Sequence, residues 1–419
     1  MSLDVTATTA LSRVLGGCLA LCLSCTSPSE LSVQPGQDAL AVKDGQSHDG
    51  ASVDGSPRQA ALPYSVGVRT IEVIGANERE LPTEIWYPAQ ETEGAQRAKY
   101  LNGIIPSTYG AFRDVPALQG PWPLVVFSHG NGGVRDQSIF IAEWLAQHGY
   151  VVASPEHVGN SFWDMKSEQM AVMWLWRPQD IAAVIKSLSS PPKTSWLSGL
   201  IESQAVGVVG HSFGGYTSLA VAGLAVQLPT DIQNACEQVD SKRSRQQQLV
   251  CDELDKLGEP PFDFAIEQVK VSIALAHAGY GNQMLKPIHS QDTLRPLIMI
   301  GASGDTSTPM SQEATPLFKA HTGPVAMVTI KGGSHYSFAN ICEVEKILPD
   351  TTQSEVGDIC SDTATPTIEE SFQIINAYTL AALELFVRGN QQARSQFAPL
   401  DAELMRLQSK GIFTAGDKP

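Results

Sequence analysis

One serine, one aspartate and one histidine stand in an order that suits nucleophilic catalysis. Residues 210–215 read Gly-His-Ser-Phe-Gly-Gly, directly after the apolar run 205–209, and a helix-compatible stretch, 216–225, follows. A serine on a sharp strand-to-helix turn, flanked by glycines that let the turn close, presents its hydroxyl at the tip. The bare pattern also occurs as a plain glycine-rich turn, so its context decides. A serine hydroxyl is a weak nucleophile near neutral pH. It needs a base that is itself oriented by a third group. Downstream, the apolar run 297–300 ends in Gly301-Ala302-Ser303-Gly304-Asp305, and the run 328–330 ends in Lys331-Gly332-Gly333-Ser334-His335. Both follow expected strands. Ser212, Asp305 and His335 should therefore share one rim of a sheet, with His335 as the base and Asp305 as its orienting acid.

Negative charge developing on a substrate oxygen needs backbone donors. The amide of Phe213 is one expected donor. The loop Ser128-His129-Gly130-Asn131-Gly132-Gly133 offers the other, assigned to Asn131 with Gly130 as the alternative. His129 is read as an organiser of this loop, His157 as a residue behind the site and His277 as lining for a pocket. Phe162, Trp163, Met165, Trp174 and Trp176 either wall an acyl pocket or belong to the core. No grouping of His, Cys and Asp has metal-ligand spacing, and neither a phosphate-binding loop nor a dinucleotide fingerprint occurs. No cofactor is expected.

These residues need elements to carry them. From residue 61 strand patterns alternate with helical ones, the mark of an α/β fold with a mostly parallel central sheet flanked by helices. Strands are expected at 66–74, 83–87, 123–127, 151–154, 205–209, 271–276, 297–300 and 325–330. Helices are expected at 137–147, at 177–188 with Pro178 in its first turn, and at 369–387. A polar, helix-forming insertion at 227–268 is read as a lid over the carboxyl edge of the sheet, where such sheets bind ligands. The domain is expected to span 61–395, with 396–419 as a C-terminal tail.

The chain has 419 residues with 28 Lys and Arg against 44 Asp and Glu, a net charge of −16, which argues against nucleic-acid binding. Residues 14–24 form an apolar run too short to span a bilayer. With Arg13 before it and small residues after it, residues 1–25 read as a secretory signal. The end of the run resembles a lipoprotein signal with Cys25 as the lipidated residue; the alternative is an ordinary cleaved signal. Residues 26–60 are polar and read as a tether. The expected location is outside the cytoplasm, secreted or at the cell envelope, with a membrane contact only through that lipid anchor. Of seven cysteines, four lie in the body. Locality pairs Cys236 with Cys251 and Cys342 with Cys360, although four cysteines allow three connectivities.

The motifs Phe127-Ser128-His129-Gly130, Pro155-Glu156-His157, Gly210 to Gly215 and Gly332-Gly333-Ser334-His335 together resemble the platelet-activating-factor acetylhydrolase and dienelactone-hydrolase-like branch of the α/β-hydrolases. Ile85-Trp86-Tyr87-Pro88 and Arg177-Pro178-Gln179-Asp180-Ile181 resemble its bacterial members. The resemblance implies an α/β-hydrolase fold and a serine ester hydrolase acting on small-molecule or lipid esters with short acyl chains. Ser212 stands where dienelactone hydrolases proper carry cysteine, so dienelactone is not the expected substrate. The acetylhydrolases of animals place the acid after an earlier strand, near Ala276-His277 here, where no Asp stands. Residues 301–309 are also similar to cutinase-like polyester hydrolases, which keeps that substrate class open. A catalytically silent binding module on the same fold is the rival reading.

The cysteine pairing is directly testable. In the native protein Cys236, Cys251, Cys342 and Cys360 should resist alkylation until a reductant is added, as read by intact mass; four modifiable thiols without reductant would refute the pairing.

Overall fold

Apolar runs become strands of a sheet buried on both faces. A computed structural model describes residues 64–237, 243–286, 295–347, 357–361 and 363–411. The expected signal with Cys25 and the tether lie outside these residues. In chain order the strands are β1 (Ser65–Ile74), β2 (Glu80–Ala89), β3 (Lys99–Tyr100), β4 (Ile105–Pro106), β5 (Phe112–Arg113), β6 (Trp122–Ser128), β7 (Val151–Pro155), β8 (Ile201–His211), β9 (Ala225–Val226), β10 (Val269–Leu275), β11 (Leu285–Lys286), β12 (Leu297–Ala302), β13 (Val325–Ile330) and β14 (Met405–Lys410). Ten of them form one sheet in the order β14-β13-β12-β10-β8-β6-β7-β2-β1-β5. From β7 through β13 neighbouring strands are parallel, and β2 and β14 pair antiparallel at either side.

Helices cover both faces. They are α1 (Ile139–Gln147), α2 (Met173–Ser189), α3 (Phe213–Val221), α4 (Thr230–Glu237), α5 (Arg245–Leu257), α6 (Ala314–Ala320), α7 (Ile341–Ile347) and α8 (Ile368–Phe386). Strand side chains alternate between two apolar layers. Leu124, Val126, Leu297 and Met299 share one apolar layer with α2, α3 and α6, while Val125, Phe127, Ile298 and Ile300 share the other with α1 and α8. Each fully buried Val, Leu or Ile stabilises by about 1.5–3 kcal/mol. Two-sided burial explains why these strands are unbroken apolar runs rather than alternating ones.

Three expectations need correcting. First, α2 begins at Met173, four residues before the expected start, so Pro178 lies inside the helix. A proline there leaves the carbonyl of Trp174 without its helical donor. Tyr216 Oη supplies one from α3 at 2.9 Å. Second, the helix after Ser212 starts at Phe213 and stops at Val221, because Ala225 and Val226 pair with β11. Third, the segment read as a tail contributes β14, which pairs antiparallel with β13 and covers the last parallel strand.

The insertion at 227–268 carries α4 and α5, joined by the Cys236–Cys251 disulfide. Its Ile232, Val250, Leu254 and Phe262 join the apolar layer of α2 and α3. Glu253 Oε1 accepts from Gln179 Nε2 at 2.7 Å, Lys256 Nζ donates to Asn77 Oδ1 at 2.6 Å, and Gln246 Nε2 donates to Ser167 O at 3.3 Å. These contacts brace it against α2, the β1–β2 turn and the loop after β7. A second disulfide, Cys342–Cys360, ties α7 to the turn at Gly357–Cys360.

Tyr216→Phe isolates the role of the hydroxyl. It leaves a buried carbonyl unsatisfied and should lower unfolding free energy by about 1–3 kcal/mol in a urea titration. An unchanged midpoint would mean the Trp174 carbonyl needs no external donor.

Candidate active site

Ser212 sits between the last residue of β8 and the first of α3, with φ 56° and ψ −116°. Such a backbone costs a non-glycine residue about 1–3 kcal/mol and persists only when its surroundings impose it. Here Ser212 N donates to Leu275 O at 2.9 Å, and Ser212 O accepts from Tyr216 N at 3.1 Å and Ala278 N at 3.2 Å. A Cβ on Gly210 would collide with the Gly214 carbonyl, and one on Gly214 with the Ser128 carbonyl. The two motif glycines thus let β8, α3 and the end of β6 close on the serine. Among the described residues the Ser212 hydroxyl makes no hydrogen bond.

Asp305 follows β12 in a tight turn. Its Oδ1 accepts from Ser307 N and Thr308 N, both at 2.8 Å, and its Oδ2 accepts from Thr308 Oγ1 at 2.7 Å and from His335 Nδ1 at 2.9 Å. Burial raises its pKa, but the His335 and Thr308 bonds outweigh it and hold the carboxyl below the ordinary range. His335 opens a short 3-10 turn after β13, capped by Ser334, whose side chain accepts from Tyr336 N. With Nδ1 committed to Asp305, Nε2 is the basic atom of the ring. The structure therefore brings Asp305 and His335 together and sets the strained serine on the same rim.

Behind this pair, His211 Nε2 donates to His335 O at 3.0 Å and its Nδ1 accepts from Gln137 Nε2 at 2.8 Å. Gln137 Oε1 accepts in turn from Gly130 N at 3.0 Å. Gly130 N is thereby committed. The amides of Asn131 and Phe213 donate to no acceptor among the described residues. A Cβ on Gly130 would stand 3.5 Å from Ser212 Cβ, so this loop abuts the serine. His129 Nδ1 donates to Gly130 O at 2.7 Å and its Nε2 accepts from His157 N at 3.0 Å, which makes His129 an organiser of the loop. Burial, then Arg177, keeps His129 neutral. At the loop's end Phe162 N donates to Gly133 O at 3.1 Å. Phe162 and Trp163 are 65% and 45% exposed and meet edge to face at 5.1 Å, whereas Trp174 and Trp176 are core.

His277 is fully buried beside α3, with Glu313 Oε2 at 3.9 Å, and burial pushes its pKa down to about 4. Among the described residues Cys342, Glu345 and Cys360 cluster like metal ligands, but both sulfurs are spent in the disulfide. Sequence reasoning assigned no role to Gln137, Thr308 or Arg177. The Asp-x-x-Thr spacing of Asp305 and Thr308 is a readable turn signal; Arg177 is marked only by its place in the Arg177-Pro178-Gln179-Asp180-Ile181 segment, and nothing local marks Gln137.

His211 yields a pH prediction. Burial, helped by the neighbouring His335, pushes its pKa down to about 3, whereas an unfolded histidine titrates near about 6.5. Its contribution to stability is therefore complete above about pH 6.5 and is lost as pH falls toward 3. In His211→Gln the gap in thermal midpoint to wild type should shrink across that window; a constant gap would assign the acid sensitivity elsewhere.

The described geometry has relatives. Residues 109–170 match the sequence pattern of the family "Platelet-activating factor acetylhydrolase, isoform II". A platelet-activating factor acetylhydrolase of Cavia porcellus is 24% identical over 215 residues, covering 37% of this chain and 49% of that one. The match thus spans about half the length of that relative. The solved structure of a ferulic acid esterase from Streptomyces cinnamoneus superposes with a TM-score of 0.54 at 18% identity, covering 80% of this chain and 93% of that one. The sheet order, the strand-to-helix serine and the superposition give the chain an α/β-hydrolase fold, and residues 109–170 are similar to the platelet-activating-factor acetylhydrolase family.

Proposed function

We propose that this chain is a serine carboxylic-ester hydrolase acting through Ser212, His335 and Asp305. The observation that carries the reading is the Asp305–His335 hydrogen bond at 2.9 Å beside a serine at φ 56°, with the Asn131 and Phe213 amides unengaged next to it. In the proposed reaction Ser212 Oγ bonds to the ester carbonyl carbon while its proton passes to His335 Nε2. The carbonyl oxygen takes the negative charge and is stabilised by the two amides. The C–O bond to the alcohol then breaks, and the alcohol leaves with the proton from His335. Water, deprotonated by His335, releases the acid and restores Ser212. Asp305 holds the imidazole tautomer and stabilises its charged form.

The exposed Phe162 and Trp163 at the end of the Asn131 loop support an ester with an apolar group on one side. The acetylhydrolase relative supports a short acyl chain. The two disulfides support an oxidising compartment outside the cytoplasm, with the Cys25 anchor as part of the same proposal.

A fluorophosphonate probe should label Ser212 in the wild type and fail on Ser212→Ala. The same variant should lose more than about 10³-fold in ester hydrolysis while unfolding at an unchanged temperature. An unlabelled, inactive wild type would establish the silent binding module instead. A panel of acyl lengths, run beside an acetylated phospholipid, a feruloyl ester and a polyester film, assigns the substrate class.

A further inference from the structure

A second Ser-His-Asp array lies behind the first and never meets solvent. Asp180 Oδ2 accepts from His157 Nδ1 at 2.9 Å, and His157 Nε2 accepts from Ser128 Oγ at 2.9 Å. All three residues are fully buried. Asp180 Oδ1 is paired with Arg79 Nη2 at 2.5 Å. Burial, reinforced by Arg177 and Arg79, keeps His157 neutral; burial pushes Asp180 up to about 6 against the pull of Arg79. Such an array cannot act on a substrate. It fixes the Ser128 hydroxyl, because a proton spent on His157 leaves the oxygen to accept from Arg177 Nη2 at 3.2 Å.

Arg177, also fully buried, reaches both segments that carry the proposed oxyanion donors. On one side its Nη2 donates to His129 O, its Nη1 lies 3.5 Å from Gly130 O, and its Nη1 donates to Asn160 Oδ1 at 2.8 Å. Asn160 Nδ2 then donates to Asn131 Oδ1 at 2.7 Å. On the other side the guanidinium lies over the Phe213 ring, 4.6 Å from its centroid. Gly130 O and Asn131 N are opposite ends of one planar peptide, so whatever grips the carbonyl aims the amide; His129 Nδ1 grips it at 2.7 Å, and Arg177 in turn holds the His129 carbonyl and approaches Gly130 O. A planar fork with five donors suits this task where an ammonium does not.

We infer that Arg177 is a positioning residue for oxyanion stabilisation. Seated by the Ser128–His157–Asp180 array, it sets the Asn131 and Phe213 amides in register with each other. The inference rests on the ester-hydrolase reading. It predicts a loss confined to substrates whose carbonyl oxygen uses those amides.

Matched oxo- and thionoesters of one alcohol separate this role from plain stability, because sulfur is a poor acceptor for the amides. In Arg177→Lys the oxoester kcat should fall about 100-fold, the scale of a lost oxyanion donor. Its KM, and the thionoester kcat, should stay within about threefold. Asn160→Ala, which keeps the Arg177 charge but removes the side chain linking it to Asn131, should shift the oxo-to-thiono ratio the same way by about tenfold, and it decides the matter if Arg177→Lys does not fold. Equal losses on both esters, or none on either, would overturn the inference while leaving an active wild type. A wild type without Ser212-dependent turnover would overturn the hydrolase reading itself, and this inference with it.

Discussion

The backbone of Ser212 is the constraint around which the rest is arranged. At φ 56° and ψ −116° a serine pays strain that nothing in its own side chain returns. The surrounding elements must hold it. β10 takes its amide through Leu275 O, and α3 and the chain after β10 supply donors to its carbonyl. The glycines at 210 and 214 let β8, α3 and the end of β6 approach until a methyl group would not fit between them. Turn, sheet and α3 are thus one mechanical unit. The Tyr216 hydroxyl extends that unit to α2, where Pro178 left a carbonyl open.

The same compactness governs the electrostatics. His129, His157, His211 and His277 are buried deeply enough to stay neutral. A neutral imidazole both donates and accepts, and His129, His157 and His211 each use both nitrogens that way. Protonation would turn an acceptor into a second donor and set two hydrogens against each other. Asp305 is the opposite case. Four donors converge on it, so it keeps its charge in spite of burial.

What could be read in the chain followed from locality. β10, β12 and β13 are buried on both faces and are mostly apolar, β12 without a break, and the loops bearing Asp305 and His335 begin within a few residues of the ends of β12 and β13. The sequence placed Asn131 ahead of Gly130, but the contact that engages the Gly130 amide, Gln137 Oε1, is one that no pattern announces. The role of Arg177 was hidden for the same reason: its hydrogen-bond partners lie 17 to 49 residues away in sequence. β14 escaped because an edge strand, half open to solvent, mixes Arg, Gln, Ser and Lys with its apolar residues. The start of α2 was missed because Trp174 and Trp176 read with Phe162, Trp163 and Met165 as an aromatic patch rather than as a first turn.

The sheet order has a consequence in time. β12 and β13 are made late, so a growing chain carries its serine for more than a hundred residues before His335 exists. At about 5–20 residues per second that interval lasts roughly 6 to 25 seconds. Within it β10 waits for β12 and β12 for β13, and β13 lacks its outer neighbour until β14 at Met405–Lys410 is released. On the proposed reading, an unfinished chain holds the serine without its base, and the order of synthesis keeps Ser212 inert until β13 and His335 have been made.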